Sequence, residues 1–467
     1  MNRLNNIALT LLTVASTALG GEKSQSIERH FDVTPQQRVE VMGFRGSNID
    51  FHSWDKNEVY IKLDVRISSS NEAYEAEYIK NLRITSQSTG NALVIDFHEP
   101  EFEERGKSFL KRLFSFGGSF VNKDIRGDIY VPTSNALTTD LRYGTATMEE
   151  MKGAINFLGE SNKLKFKNCS NVQKIENNYG NIAIQNCGGV LHIQSQSSTI
   201  NVEDFNGSFD IESNYSTITV NKTSKGGSVE SQSGKHTFAD ISGDLSVRSN
   251  YSKIGIRNVQ GFVDVTSSSG TVTLDQAQGV RINAPYSQIE IASIDGKAGK
   301  RIEIADQSGK IELRDIVGDV SIDDQYSTIT LENVKGSVEL ASQSANISAD
   351  RVSGDWKSTT EYSKIYIKEL GGANLAIKNS SGTVDVQMAG KVNSVAITNQ
   401  YANVTLKLSR SFAGTYKFKS KYGSISSNLS LDIDDLGGGQ IASGTIGTGA
   451  ASLRIETESG NIKVTER

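Results

Sequence analysis

The sequence predicts an all-β chain wound as a single-stranded β-helix, a β-solenoid with coils of about 18 residues behind an N-terminal cap. Three observations predict it. The phrase "NNYGNIAIQNCGG" at 177–189 returns as "SNYSTITVNKTSKGG" from Ser213 and as "SNYSKIGIRNVQG" from Ser249. Tyrosines stand at 143, 179, 215, 251, 286, 326, 362 and 401, mostly 36 apart, with Ser161, Ser197, Ser233, Ser269, Ser308, Ser344 and Ser381 midway between them. A phrase repeated at fixed period is the mark of stacked structural units. Third, apolar residues alternate with polar ones in short β-branched runs, which fits strands with one buried face and not helices.

The elements follow in order. Residues 1–20, "MNRLNNIALTLLTVASTALG", read as a signal peptide. Arg3 supplies the charge, Ile7 to Val14 the apolar run, and Ala18 and Gly20 a small-x-small cleavage site. The run is too short to span a bilayer, and no later stretch approaches that length. No cysteine ends the segment, so a lipoprotein anchor is not expected. The expected location is outside the cytoplasm, in a periplasm or at a cell surface.

Residues 21–142 read as a strand-rich cap with the first coils. Tyr74, Tyr78 and Leu82 stand at helical spacing and predict one helix across an edge. "EFEERGKSFLKRLFSFGGSF" is an amphipathic, Phe-rich insertion, expected to fold onto the core, the alternative being contact with a membrane or a partner. A first coil has an open edge that must be covered.

Residues 143–467 read as solenoid repeats. In "YSTITLENVKGSVELASQ", Ile329, Leu331, Val334, Val338 and Leu340 point inward, and Gly336 marks a corner. Eight residues after each Tyr or Ser runs one column: Met151, Cys169, Cys187, Phe205, Thr223, Ile241, Val259, Ala277, Ile294, Ile316, Val334, Val352 and Leu370. Its apolar character suits an interior position. "DLGGGQIASGTIGTGAAS" reads as a loose glycine-rich stretch, and "SGNIKVTER" returns to the repeat.

The chain has 467 residues, 22 % of them charged, and a net charge of −5, which leaves no basic footprint for nucleic acid. His30, His52, His98, His192 and His236 show no metal-ligand spacing; His192 and His236 are expected on polar faces of repeat strands. No nucleophile or phosphate-loop motif is present. Carboxylates cluster at Asp323–Asp324 and at Asp432, Asp434 and Asp435, where solvated turns are the expectation. Sugar cleavage would need two carboxylates opposed across a substrate, and calcium would need several oxygens in one place. No catalytic residue, metal site or cofactor is assigned. Cys169 and Cys187 are one coil apart in the inward column. Their Cα atoms should lie roughly 4.8 Å apart, inside disulfide range, and a disulfide is expected.

The runs "FDVTPQQRVEVMGFRGSNIDFHSWDKNEVYIKLDV", "IRGDIYVPTSNALTTDLRYGTATMEEMKG", "SGTVTL" and "SGKIEL" resemble the bacterial adhesin-type domains with β-strand repeats. These are grouped with auto-transporter adhesin head domains and have no assigned function. The resemblance covers nearly the whole chain beyond residue 20. It implies a right-handed β-helix on an exported bacterial protein, and it brings no active site with it.

The tyrosines leave two readings open. Large and small residues alternating at one corner fill it without strain. Alternatively, Tyr179, Tyr215, Tyr251, Tyr286, Tyr326, Tyr362 and Tyr401 form a ligand-binding line, since aromatic faces beside Asn, Gln and Ser suit sugars. The expected role is a non-enzymatic, adhesin-like surface for a glycan or a cell-envelope protein. The alternatives are a polysaccharide-acting enzyme or a purely structural envelope protein.

Overall fold

The computed structural model describes residues 22–69, 72–100, 122–296 and 301–466. The signal-peptide segment and the Phe-rich insertion lie outside the described residues. Internal contacts divide the chain into two units, Met1–Lys225 and Gly226–Arg467.

In the first unit each coil contributes two parallel legs. Leu137–Arg142 is followed by Thr145–Glu149, then Ile155–Glu160 by Lys163–Lys167, then Val172–Asn178 by Asn181–Gln185. Each leg pairs in register with the leg one coil on: Phe157 opposes Ile175, and Ile182 opposes Ile200. A side chain facing inward in one coil therefore sits on an inward side chain of the next. Every residue of the predicted column, from Met151 to Leu370, is buried in its own unit.

The cap extends both legs with antiparallel strands. Glu58–Ser68 lies between Lys23–Asp32 and Asn122–Pro132, antiparallel to both. Asn122–Pro132 then pairs parallel with Ser47–Trp54. On the other leg, Arg83–Ser88 is antiparallel to Ala92–His98, which runs parallel to Arg38–Arg45. The predicted helix is Glu72–Asn81. It turns Tyr78 inward, where the hydroxyl donates to Glu99 Oε2 at 2.8 Å. Burial raises the pKa of that hydroxyl.

The second unit repeats the two-leg coil from Gly227–Ile241 onward. Its glycine corner is packed backbone to backbone. A Cβ at Gly336 would come within 2.1 Å of the Gly318 carbonyl oxygen, and one at Gly372 within 2.1 Å of the Gly354 oxygen. Any side chain there would push the coils apart.

The C-terminal end departs from chain order. Ala451–Thr457 pairs parallel with Ser394–Asn399, and Ile462–Glu466 with Val404–Leu408. Gly414–Ser420 stacks on the far side of Ala451–Thr457. The last segment of sequence is thus inserted between two earlier ones. The glycine-rich stretch, expected to be loose, supplies Gln440–Ile446, an antiparallel partner of Gly414–Ser420. It lies between Gly414–Ser420 and the short strand Ile433–Asp435, antiparallel to both, a role for which repeat periodicity gives no signal.

Candidate functional site

The tyrosine corner joins the two legs of a coil. At Tyr143, Tyr179 and Tyr215 the backbone is left-handed, with φ of 60°, 57° and 55°; Tyr286 has φ of 63°. For a residue other than glycine this conformation costs on the order of 1–3 kcal/mol. The rings are not buried in the core in return. In the first unit Tyr143, Tyr179 and Tyr215, and in the second Tyr251, Tyr286, Tyr326, Tyr362 and Tyr401, are between 53 % and 66 % exposed. They do not fill the corner from within, so interior packing does not account for them.

The serine alternation has another use. Tyr179 donates its hydroxyl to Gln196 Oε1 at 3.3 Å, beside Ser197 in the next coil. Tyr326 does the same to Gln343, beside Ser344. The ring is laid along the outside of the small-residue corner, hydroxyl anchored and one face to solvent.

The C-terminal rearrangement tests this alternation. Extending the register of Ser394↔Ser452 and Gly414↔Ala451 places Ser459 against both Tyr401 and Tyr422. In chain order two tyrosines precede the serine; in space the row reads Tyr, Ser, Tyr. Tyr422 is 60 % exposed and has Lys421 Nζ 4.9 Å from its ring centroid. Spacing from Tyr401 does not find it, although "YGSI" at Tyr422 matches "YGNI" at Tyr179.

Between Tyr143 and Tyr179 lies a shallow groove of about 580 Å³, lined by Asn48, Thr145, Lys163, Asn181 and Thr199. Its walls are amides, hydroxyls and one ammonium. The two rings stand two coils apart, roughly 9.6 Å by strand spacing. A second cavity, of about 410 Å³, lies in the second unit over Val338, Trp356 and Leu375, with the Lys357–Glu339 ion pair (2.6 Å) at its rim.

Behind the corner runs a buried polar row. In the first unit Asn162 and Asn177 exchange hydrogen bonds, and Ser213 Oγ lies 2.7 Å from Ser216 Oγ. In the second, Ser327 Oγ donates to Asp306 Oδ2 at 2.8 Å, and Ser342 Oγ to Asp324 Oδ2 at 2.9 Å. Asp324, half of the acidic pair noted in the sequence, is therefore a buried corner group. Asp323, Asp432, Asp434 and Asp435 are exposed.

Two expectations are corrected here. His236 does not lie on a polar face. It is fully buried, stands in register with Ile254, and is hydrogen-bonded to Ser249 Oγ at 3.0 Å. Burial lowers its pKa to about 4. Cys169 and Cys187 are free, buried thiols and not a disulfide. In-register parallel neighbours project their side chains in the same direction, so one thiol stacks on the other without the opposed geometry a bridge needs. The Cys169 N–H donates to Cys187 Sγ at 3.3 Å.

His30, His52 and His192 each face a carboxylate, of Glu58, Asp128 and Asp210 respectively; His98 meets Thr85. Among the described residues no helix is long and apolar enough to cross a membrane.

Comparison with known proteins adds a family and little else. The Toastrack DUF4097 family model matches residues 55–465. No curated protein matches the chain. A crystal structure from Clostridium sporogenes, of a "putative cell adhesion protein", aligns over 95 % of this chain and all of its own, at 8 % identity and a TM-score of 0.16. A likeness at that score carries no argument about shape or function.

Proposed function

We propose that this chain, which belongs to the Toastrack family DUF4097, is a non-enzymatic binding protein that recognises an extended polysaccharide along the tyrosine corner of its first unit, at Tyr143, Tyr179 and Tyr215. The observation that carries the reading is the exposed tyrosine in left-handed backbone, as at Tyr143 and Tyr179. The corner is held without an aromatic ring in the neighbouring serine coils, and glycine or asparagine would adopt this backbone at less cost. The intervening Ser161 and Ser197 hold the same left-handed backbone, so the turn needs no aromatic ring, and a ring kept exposed on it points to use. The groove between the two rings suits a glycan, since its amides and hydroxyls can match sugar hydroxyls while the rings offer apolar faces. We further propose that the protein is exported by a bacterium, to the periplasm or the cell surface. The support is the signal-like segment at residues 1–20 and the adhesin-type resemblance of the repeats.

The test is a binding screen of the purified protein against a panel of bacterial and host polysaccharides, with a Tyr143→Ser, Tyr179→Ser double variant alongside. Binding by the wild type that the folded variant loses supports the reading. Binding that the variant retains, or no binding across the panel, sinks it and turns the search to protein partners.

A further inference from the structure

We propose that His192, Asp210 and Glu212 form a surface site for a divalent transition-metal ion of the Zn²⁺ type. The first lies on Gly188–Gln196, the other two on the leg stacked against it. The register pairs His192 with Asp210 and Gln194 with Glu212. These four side chains occupy the corners of a rectangle roughly 4.8 Å by 6.7 Å, one coil spacing by two residues of strand. Three of the corners carry metal-binding chemistry, and their donor atoms all lie within 4.8 Å of one another. Among the described residues no other group of three His, Cys, Asp or Glu converges this closely.

The backbone at all four corners is locked in the parallel ladder, so the side chains need only small rotations to close on an ion with bonds of about 2.0–2.2 Å. His192 already turns Nδ1 toward Asp210 Oδ2, at 3.1 Å. Gln194 donates to Glu212 Oε2 at 3.3 Å. Turning that amide over would present its carbonyl oxygen as a fourth ligand. One imidazole with two carboxylates favours Zn²⁺, Mn²⁺ or Co²⁺ over Ca²⁺, which prefers an all-oxygen shell. The nearest cation in register with His192 is Lys174, and its ammonium is engaged by Glu176. His192 keeps about a third of its side chain exposed, so an ion can arrive from solvent.

The experiment is isothermal titration of the purified full chain with Zn²⁺, and separately with Ca²⁺. Saturable binding of Zn²⁺ at one site per chain is expected, weakened about tenfold or more by His192→Ala and by Glu212→Gln. Both positions are on the surface, and circular dichroism verifies that the variants fold. His52→Ala is the control, because among the described residues no third His, Cys, Asp or Glu converges on the His52–Asp128 pair; it should leave the affinity unchanged. The proposal is overturned by the absence of saturable binding up to millimolar Zn²⁺. It is also overturned if binding survives both variants, if it is lost in the His52 control, or if Ca²⁺ binds more tightly than Zn²⁺.

Discussion

Behind the tyrosine corner the two units fill the same inner row with different chemistry. In the first unit the row is neutral: Asn162, Asn177, Ser198, Ser213 and Ser216. In the second, serines continue, but Asp306 and Asp324 take two places and His236 is packed against Ser249 and Ser252. The difference teaches what the row requires. Most coils place a small hydrogen-bonding group there, which can satisfy the backbone of a tight corner, although the Tyr286 coil carries Ala284 instead. Whether that group can titrate is a separate matter, and it sets how each unit answers to pH.

His236 should give the largest effect. Burial holds its pKa at about 4, against an ordinary 6.5. The unfolded chain takes up a proton near pH 6.5, while the folded chain resists until about pH 4. The unfolded state therefore binds more protons in that window, and stability falls as pH drops through it. A shift of that size amounts to about 3 kcal/mol by pH 4. Urea midpoints of the full chain at pH 7.5 and 4.5 should separate accordingly. His236→Ile, which restores the residue type of the adjacent Ile254, should remove most of the separation. An unchanged pH dependence in the variant would place the acid sensitivity elsewhere.

The fold was largely legible in the sequence because its core is a repeat. A period of 18 fixed the inward column from Met151 to Leu370, and every member is buried. His236 was legible too, by position. It stands three residues after Ser233, as Ile200 does after Ser197, and only its polar side chain argued for the surface. The C-terminal order was not legible. Inserting Ala451–Thr457 between Ser394–Asn399 and Gly414–Ser420 depends on pairings 58 and 37 residues apart, which no local pattern records. The tyrosine row was visible as spacing, but spacing cannot tell a ring turned inward from one turned outward. The exposure of the rings distinguishes them.

Asp306 should give a smaller effect of opposite sign. Burial raises its pKa, and its Oδ1 has no hydrogen-bond partner. The stability it contributes is present while it is protonated and is lost as pH rises through its raised folded-state value. At neutral pH it is therefore a cost, where the serine usual in this row would not be. Asp306→Ser should stabilise the protein by about 1 kcal/mol at pH 7.5, with the gain shrinking as the pH is lowered. A urea midpoint that falls on substitution would mean that the carboxylate is held by interactions stronger than its burial.

The smallest effect on stability belongs to the outer row, and its smallness is the point. Tyr179 is exposed, its one hydrogen bond is to a surface glutamine, and its backbone is strained. Tyr179→Ser copies the residue that the neighbouring coils carry at Ser161 and Ser197, in the same left-handed conformation. The urea midpoint should move by no more than about 0.5 kcal/mol, as for other surface changes. Ser213→Ala, one coil pair away in the inner row, breaks a buried hydroxyl pair and should cost about 1 kcal/mol. If the tyrosine substitution proves the more costly of the two, the ring is holding the coils together and the recognition reading loses its main support. If stability stays and polysaccharide binding goes, the corner divides its labour, with the inner side chains holding the coil and the outer ring left for a ligand.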